Sequence, residues 1–204
     1  MNTRNFIPGI GIRIALIISL FHVQDLRAAA KSAEQYIASE IISITATKPD
    51  GSPVKVVIKE NSKINPPGII FKLRSADGHL SSFLKKGWDL MIITAFNTRN
   101  LLFGLKLNET CLSVTQSGGC PKFSGSISGS TENLRWPDQG FNCAYPSGPI
   151  SNGKITYDSC SNTGTIKFTA PKANCIDHSN ITYTVKFKGS KGPSPLSLPS
   201  TSCR

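Results

Sequence analysis

Hydrophobic and polar residues alternate along most of the chain beyond residue 40. Successive side chains of a β-strand point to opposite faces of a sheet, so one face is apolar while the other carries Lys or Thr. The alternation therefore predicts half-buried strands wherever it persists. Three further segments are predicted on other grounds: residues 41–47 are rich in β-branched residues, and 68–74 and 88–96 are apolar enough to be central strands. Together, the predicted strands are residues 41–47, 53–59, 68–74, 88–96, 101–107, 122–128, 153–157, 164–169 and 181–187.

Turn-forming residues separate most of these segments, because Gly and Asn accept the backbone angles that tight turns need. Asn152-Gly153 is the strongest hairpin signal among them. Residues 32–35 resemble a helix capping box and predict a short helix near the start of the mature chain, and residues 81–86 predict another helical turn. The turn signals are Asp50-Gly51, 65–68, Asp77-Gly78, 117–119, Asn152-Gly153 and 162–164.

Short strands joined by turns, without alternating long helices, predict an all-β protein and argue against an α/β fold. The pattern is typical of a sandwich or a barrel. We expect an antiparallel β-sandwich, immunoglobulin-like or jelly-roll-like, that is disulfide-stabilised in its C-terminal half. Residues 31–110 contain no cysteine and residues 111–204 contain six. The two parts form either one continuous sandwich or two small β-domains.

The first thirty residues have the organisation of a secretory signal peptide. Arg4 supplies the positive n-region, residues 14–21 form a short apolar stretch, and residues 28–30 are three alanines at the expected cleavage point. The apolar stretch is too short to span a bilayer. We therefore expect a mature chain of residues 31–204 that is extracellular, or periplasmic if the source is bacterial.

The chain carries 23 basic and 12 acidic residues, a formal net charge of +11. The basic residues are distributed one or two per segment, and the densest groups are at 85–86 and 186–191. Such an excess favours anionic partners, including sulfated glycans and lipid headgroups, or it is a solvated face that maintains solubility. A dedicated nucleic-acid binder is not expected, because the chain contains no recognition motif for nucleic acid.

Six cysteines in an exported chain predict three disulfides, and six cysteines allow fifteen pairings. A structural metal site is not expected, because close Cys pairs and Cys/His clusters are missing from the sequence. The cysteines are Cys111, Cys120, Cys143, Cys160, Cys175 and Cys203.

Catalytic constellations in the sequence are each incomplete. His79 and His178 are isolated in predicted loops, and the carboxylates show no spacing that selects a pair. Residues 125–129 approach a nucleophile elbow but carry Ile127 where the serine is needed. Catalysis, a cofactor and a metal are therefore not expected, although a small secreted hydrolase stays open as an alternative.

One loop combines residue types that contact ligands, and it begins Arg135-Trp136-Pro137. Tryptophan stacks on sugar rings or anchors protein interfaces, and neighbouring polar side chains bond hydroxyls. Trp88, by contrast, begins an apolar strand and is expected in the core. The alternative for the loop tryptophan is that it packs back on the core. The predicted ligand-binding residues are Arg135, Trp136, Asp138, Gln139 and Tyr145.

Two triplets match the acceptor sequence for N-glycosylation, at Asn108 and at Asn180. Such triplets are common by chance. They are expected to be modified only if the source is a eukaryote.

Two segments resemble reelin-type (Reeler) domains, which are secreted immunoglobulin-like sandwiches. Residues 71–78 look like their strand-and-turn segment, and residues 164–171 with 181–187 are similar to their closing hairpin. The resemblance implies a sandwich, and no functional residue is carried over from it.

Taken together, these observations predict a secreted binding or adhesion protein that recognises a glycan, a protein receptor or an anionic surface through loops of a β-sandwich. Two alternatives belong to other classes. One is the small secreted hydrolase. The other is a structural or self-assembling extracellular subunit whose edge strands pair with neighbouring copies.

Overall fold

The computed structural model describes residues 30–56, 63–75, 79–96, 99–133, 147–171, 180–195 and 203. These residues form antiparallel strands, and no helix among them is long and apolar enough to cross a membrane. The strands are β1 Ala30–Thr47, β2 Pro53–Val56, β3 Lys63–Ser75, β4 Leu80–Leu84, β5 Trp88–Phe96, β6 Arg99–Leu107, β7 Thr110–Ser117, β8 Cys120–Ser126, β9 Gly129–Asn133, β10 Gly148–Pro149, β11 Ser151–Asp158, β12 Thr163–Thr169 and β13 Thr182–Lys191.

Eight of the described strands close into an antiparallel barrel, in the order β1-β13-β12-β11-β8-β7-β4-β3, with β3 returning to β1. The predicted sandwich is therefore wrong in architecture, although the all-β class is confirmed. The sandwich that the resemblance to reelin-type domains implied is wrong for the same reason. Inward and outward residues alternate identically in an open sheet and in a closed one, so the alternation carries no information about closure.

Strand β1 closes the barrel because it bends enough to pair on both edges. It pairs with β3 from Ala30 to Glu40 and with β13 from Tyr36 to Thr47. Register shifts interrupt both pairings between Ala38 and Glu40, and irregularities of this kind bend and twist a strand. Beyond the shift, the edge that β3 leaves is taken up by β2, which begins a second sheet in the order β2-β5-β6-β9-β10.

The barrel interior is filled with side chains. Tyr36 lies 5.1 Å from Phe123 between ring centroids, Tyr157 stacks on Phe187 at 5.9 Å, and Trp88 meets Phe187 edge-on at 5.7 Å. Trp88 is only 1% exposed, which confirms the expected core position. An eight-stranded barrel is just wide enough for side chains to fill it. The functional surface of the described barrel must therefore be sought on its outside.

The outer side of the β3–β4 wall is apolar as well. Phe71 and Phe83 are direct partners in register and stack at 5.0 Å, and with Leu73 they form a cluster separate from the main core. Cys203 completes this cluster and is bonded to Cys111 on β7. The disulfide thus holds Cys203 against the outside of the barrel.

Each of the nine predicted strands overlaps an observed strand, but both predicted helices are wrong. Residues 32–40 lie in β1 and residues 81–84 lie in β4. Tertiary pairing on both edges of β1 overrides the local capping signal. The turn at Gly118-Gly119 is confirmed as a two-residue hairpin, in which both glycines have positive φ.

Two turn predictions fall inside strands. Residues 65–68 lie within β3, at the place where four unpaired residues of β3, 64–67, face the single residue Ser39 of β1. Asn152 has a φ of +53° but belongs to β11, where it sits at a register shift against β12. Both signals therefore mark irregular pairing and not a chain reversal.

Candidate polyanion-binding face

Four lysines lie together on the outside of the barrel, at the centre of the β8-β11-β12-β13 wall. The inward positions of these strands, such as Ile155, Ile166 and Val185, belong to the main core. The alternate positions therefore point outward. The four lysines are exposed and are Lys154 on β11, Lys167 on β12, and Lys186 and Lys188 on β13.

The strand register sets the spacing of these lysines. Lys154 is directly opposite Lys167, and such pairs have Cβ atoms about 4.5–5.5 Å apart. Lys186 is opposite Thr165, which lies two residues from Lys167 on the same face of β12. Lys188 lies two residues beyond Lys186 on the same face of β13. The four ammonium groups therefore form one diagonal track from β11 to β13. We call them the lysine track.

None of the four lysines forms an ion pair with a described residue. The described ion pairs involve Lys72, Lys106, Lys122 and Lys191 instead. Glu40 is opposite Lys188 in register, but no ion pair joins them. Like charges placed directly opposite on a sheet are destabilising, so we expect the Lys154–Lys167 pair to lower the stability of the isolated protein. An anionic ligand would relieve that repulsion.

Short hydroxyl side chains surround the lysine track. Ser124 on β8, Thr156 on β11 and Thr165 on β12 lie side by side in one cross-strand row. They line an open groove of about 540 Å³, which is flanked by Lys122 on one side and Lys186 on the other. Hydroxyls both donate and accept hydrogen bonds, so the groove matches a ligand rich in hydroxyl groups.

One end of the groove is held by a disulfide. Cys120 at the start of β8 is bonded to Cys160 in the turn between β11 and β12. Asp158 accepts a hydrogen bond from the backbone N–H of Cys160 at 2.8 Å and pairs with Lys122 at 3.0 Å. The Lys122 ammonium and this N–H hold the pKa of Asp158 below its ordinary value of 3.8. The groove is therefore rigid at this end, and rigid sites lose little conformational entropy on binding.

A second charged cluster lies at the seam of the barrel. The Glu34 carboxylate on β1 accepts a hydrogen bond from Tyr36 at 2.7 Å and lies 3.5 Å from Lys72 and 3.6 Å from Lys191. Burial raises the pKa of Glu34, but the Tyr36 hydrogen bond and the two ammonium groups outweigh it and lower the pKa below 4.5. Burial and the ionised Glu34 raise the pKa of Tyr36 well above its ordinary range.

The cluster at Glu34 joins three strands, because Lys72 belongs to β3 and Lys191 to β13. Lys72 is only 8% exposed, so its charge depends on Glu34 for compensation. The arrangement neutralises a buried cation at the point where the barrel closes. The cluster therefore has a structural role, because its ion pairs join β1, β3 and β13.

The predicted ligand-binding residues lie outside the described residues. Arg135, Trp136, Asp138, Gln139 and Tyr145 fall between β9 and β10 in sequence, and the structure neither places them on the lysine track nor separates them from it. His178, one of the two candidate histidines, also lies outside. His79 is described and exposed, and no cluster of three metal-ligating side chains occurs among the described residues.

Two disulfides are observed among the described residues, Cys111–Cys203 and Cys120–Cys160. They confirm disulfide bonding in the C-terminal half and suggest an oxidising environment outside the cytosol. Cys143 and Cys175 lie outside the described residues.

Both glycosylation triplets begin at an exposed asparagine in the described part of the chain. Asn108 follows β6, and its side-chain amide donates to Ser128 Oγ at 3.2 Å. Asn180 precedes β13. Both asparagines are exposed, and their modification stays a prediction.

Sequence reasoning missed the lysine track because its members are distant along the chain. The signal was the spacing of Lys and Thr at alternate positions, seen in 154–156, 165–167 and 184–188. Pairing of the three strands then places these positions side by side.

Comparisons of this chain with protein-family models, with curated proteins and with solved structures found no match.

Proposed function

We propose that this protein is a secreted binding protein that recognises an anionic polysaccharide through the lysine track. The observation that carries the proposal is the track itself, in which four exposed ammonium groups share one face without a carboxylate partner among the described residues. Lys154 and Lys167 are directly opposed, and no described carboxylate forms an ion pair with either of them. A polyanion that bridges the two lysines converts their repulsion into binding free energy.

A polysaccharide fits this face better than a lipid surface or a nucleic acid. The groove beside the track presents hydroxyls from Ser124, Thr156 and Thr165. Single-stranded nucleic acids need exposed aromatic rings for base stacking, and the outward positions of this wall carry Lys, Ser and Thr together with Asp158. Among the described residues, Ile42 is the one large hydrophobic side chain that is strongly exposed, at 49%, which is too little for insertion into a bilayer.

The signal-peptide organisation of the first thirty residues and the two disulfides support an extracellular location. In this proposal, Trp136 and Tyr145 are additional contacts that stack on sugar rings. Replacement of Trp136 by Ala tests that part separately. If polysaccharide binding is unchanged, the residues between β9 and β10 are not part of the site.

The test is a binding titration of the secreted chain with dextran sulfate, with uncharged dextran as the ligand control. The triple variant Lys167→Ser, Lys186→Ser, Lys188→Ser removes three charges from the track. The matched variant Lys55→Ser, Lys85→Ser, Lys86→Ser removes three exposed charges elsewhere. We expect the track variant to lose at least about tenfold in affinity at ~0.1 M salt and the matched variant to lose little, because only the track lysines contact the polyanion.

Equal losses in the two triple variants would show that only net charge matters, and the lysine track would then not be a site. Absence of dextran sulfate binding by the wild-type chain at low salt would overturn the proposed function. Binding of uncharged dextran as strong as that of dextran sulfate would overturn its electrostatic basis.

A further inference from the structure

A fifth lysine belongs to the same wall but differs from the other four. Lys122 on β8 lies outward, at the opposite side of the groove from Lys186. Its ammonium is 3.0 Å from the Asp158 carboxylate, and the two residues are direct partners in the β8–β11 register. The pair leaves Lys122 electrostatically compensated, whereas the four track lysines are not.

Asp158 is fixed in place by more than this ion pair. Its other carboxylate oxygen accepts the Cys160 N–H at 2.8 Å, and Cys160 is bonded to Cys120. The carboxylate therefore stays at the disulfide end of the groove whether or not Lys122 is engaged elsewhere. An anionic group that enters this end meets an ion pair without net charge and not a free ammonium group.

From this geometry we infer that Asp158 is a specificity-determining residue, which confines anionic groups to the lysine track and reserves the groove for uncharged, hydroxyl-bearing parts of the ligand. The inference rests on the proposed function and refines its substrate class. The preferred ligand is a polysaccharide whose charges are separated by uncharged sugar hydroxyls. A densely charged polyanion would place charge at both ends of the groove and would find no free ammonium group at the end where Asp158 holds Lys122.

The distinguishing variant is Asp158→Asn, which keeps an oxygen acceptor for the Cys160 N–H but removes the negative charge. We expect its affinity for dextran sulfate to rise about three- to tenfold at low salt, with the slope of log affinity against log salt steeper by about one, because Lys122 becomes an additional contact. Its affinity for hyaluronan, which has one carboxylate per disaccharide, is expected to change less than about twofold.

Lys122 completes a double-mutant cycle. In the wild-type background, Lys122→Ser leaves the Asp158 carboxylate unpaired beside the groove and is expected to lower dextran sulfate affinity by less than about twofold, because Lys122 held by Asp158 does not contact the polyanion. In the Asp158→Asn background, the same replacement is expected to abolish the gain. Equal effects of Lys122→Ser in both backgrounds would overturn the inference.

Glu132→Gln is the matched control, because it also removes the carboxylate of a surface ion pair, with Lys106 at 2.6 Å, but on the second sheet. We expect no gain in dextran sulfate affinity from it. A gain equal to that of Asp158→Asn would reduce the effect to net charge and overturn the inference. A thermal melt of each variant checks folding, and Asp158→Ser replaces Asp158→Asn if that variant folds poorly, with an expected gain for dextran sulfate in the same direction because Lys122 is again released.

Failure of the inference and failure of the proposed function give different results. If the wild-type chain binds dextran sulfate and loses that binding when the lysine track is removed, the proposed function stands. If Asp158→Asn then shows no gain, only the role of Asp158 is rejected. If the wild-type chain does not bind, both are rejected together.

Discussion

Two walls of the same barrel have opposite outer surfaces. The β11-β12-β13 wall presents Lys and Thr to solvent, and its lysine track is uncompensated. The β3–β4 wall carries Phe71 and Phe83 on its outer side, and Cys203 packs over them. Both walls contribute apolar side chains to the main core, although Lys72 and Ser82 are also buried on the inner side of the β3–β4 wall. The outer positions decide which wall is covered by the protein itself and which is left for a partner.

The largest expected effect comes from the covered wall. Phe83 is buried at 1% exposure, and Phe83→Ala removes its stacking partner from Phe71 and leaves a cavity under Cys203. We expect a loss of about 3–5 kcal/mol in the free energy of unfolding. The matched change on the other wall is Thr156→Ala, which is expected to alter stability by less than about 0.5 kcal/mol. Urea denaturation of both variants checks this, and similar losses would show that the walls do not differ energetically.

The two walls also differ in their disulfides. Cys111–Cys203 lies at the β3–β4 wall, and Cys120–Cys160 lies at the end of the groove on the other wall. Replacing both cysteines of either bond by serine is expected to cost about 2–5 kcal/mol, because long loops are released in the unfolded chain. Only loss of Cys111–Cys203 is expected to expose the Phe71 cluster and to increase binding of the dye ANS. Loss of Cys120–Cys160 is expected to weaken polyanion binding instead. ANS binding that rises equally in both variants would contradict the assignment of the disulfides to separate walls.

The seam at Glu34 joins the two walls and makes the barrel sensitive to acid. The pKa of Glu34 is lower in the folded protein than its ordinary value of 4.5, so its ionised form stabilises the fold above about pH 4.5. That stabilisation is lost as the pH falls through the lowered pKa, because protonation leaves Lys72 without its counter-charge. Glu34→Gln is expected to destabilise the fold by about 1–3 kcal/mol at neutral pH and to flatten the decline below pH 4.5.

Thermal melts between neutral and acid pH measure this effect. Asp50 supplies the control, because Asp50→Asn alters an exposed turn carboxylate whose pKa is lowered by hydrogen bonds from Ser52. If Asp50→Asn flattens the acid decline as strongly as Glu34→Gln, the seam is not the acid-sensitive element.

Much of the secondary structure follows from the sequence, because strand alternation is a local property. The strands at residues 88–96 and 164–169 were predicted from their own residues, and tertiary contacts only confirm them. Residues 32–35 show the limit of local reasoning. They carry a plausible helix start, but β1 is held by β3 and β13 at once, and the pairing on both edges outweighs the local preference.

The closure of the barrel and the lysine track were beyond local reasoning for the same physical reason. Closure depends on register shifts in β1 near Ala38, and the track depends on which strands become neighbours. Lys154 and Lys186 are more than thirty residues apart in the sequence. Disulfide bonding could be predicted from the number of cysteines and the expected export of the chain. Which cysteines pair with each other depends on the fold and could not be predicted.

The smallest expected effect concerns the two lysines that lie directly opposite each other on the exposed wall. Lys167→Thr removes one of two directly opposed lysines and gives β12 a residue that favours strands. We expect stability to increase by about 0.2–1 kcal/mol while dextran sulfate affinity decreases severalfold, because the charge that destabilises the free protein is the charge that binds. Lys122→Thr is the comparison, since its charge is compensated by Asp158 and its loss is expected to stabilise nothing. If Lys167→Thr lowers stability, repulsion between the opposed lysines does not destabilise the free protein. No support then remains for a ligand that relieves this repulsion.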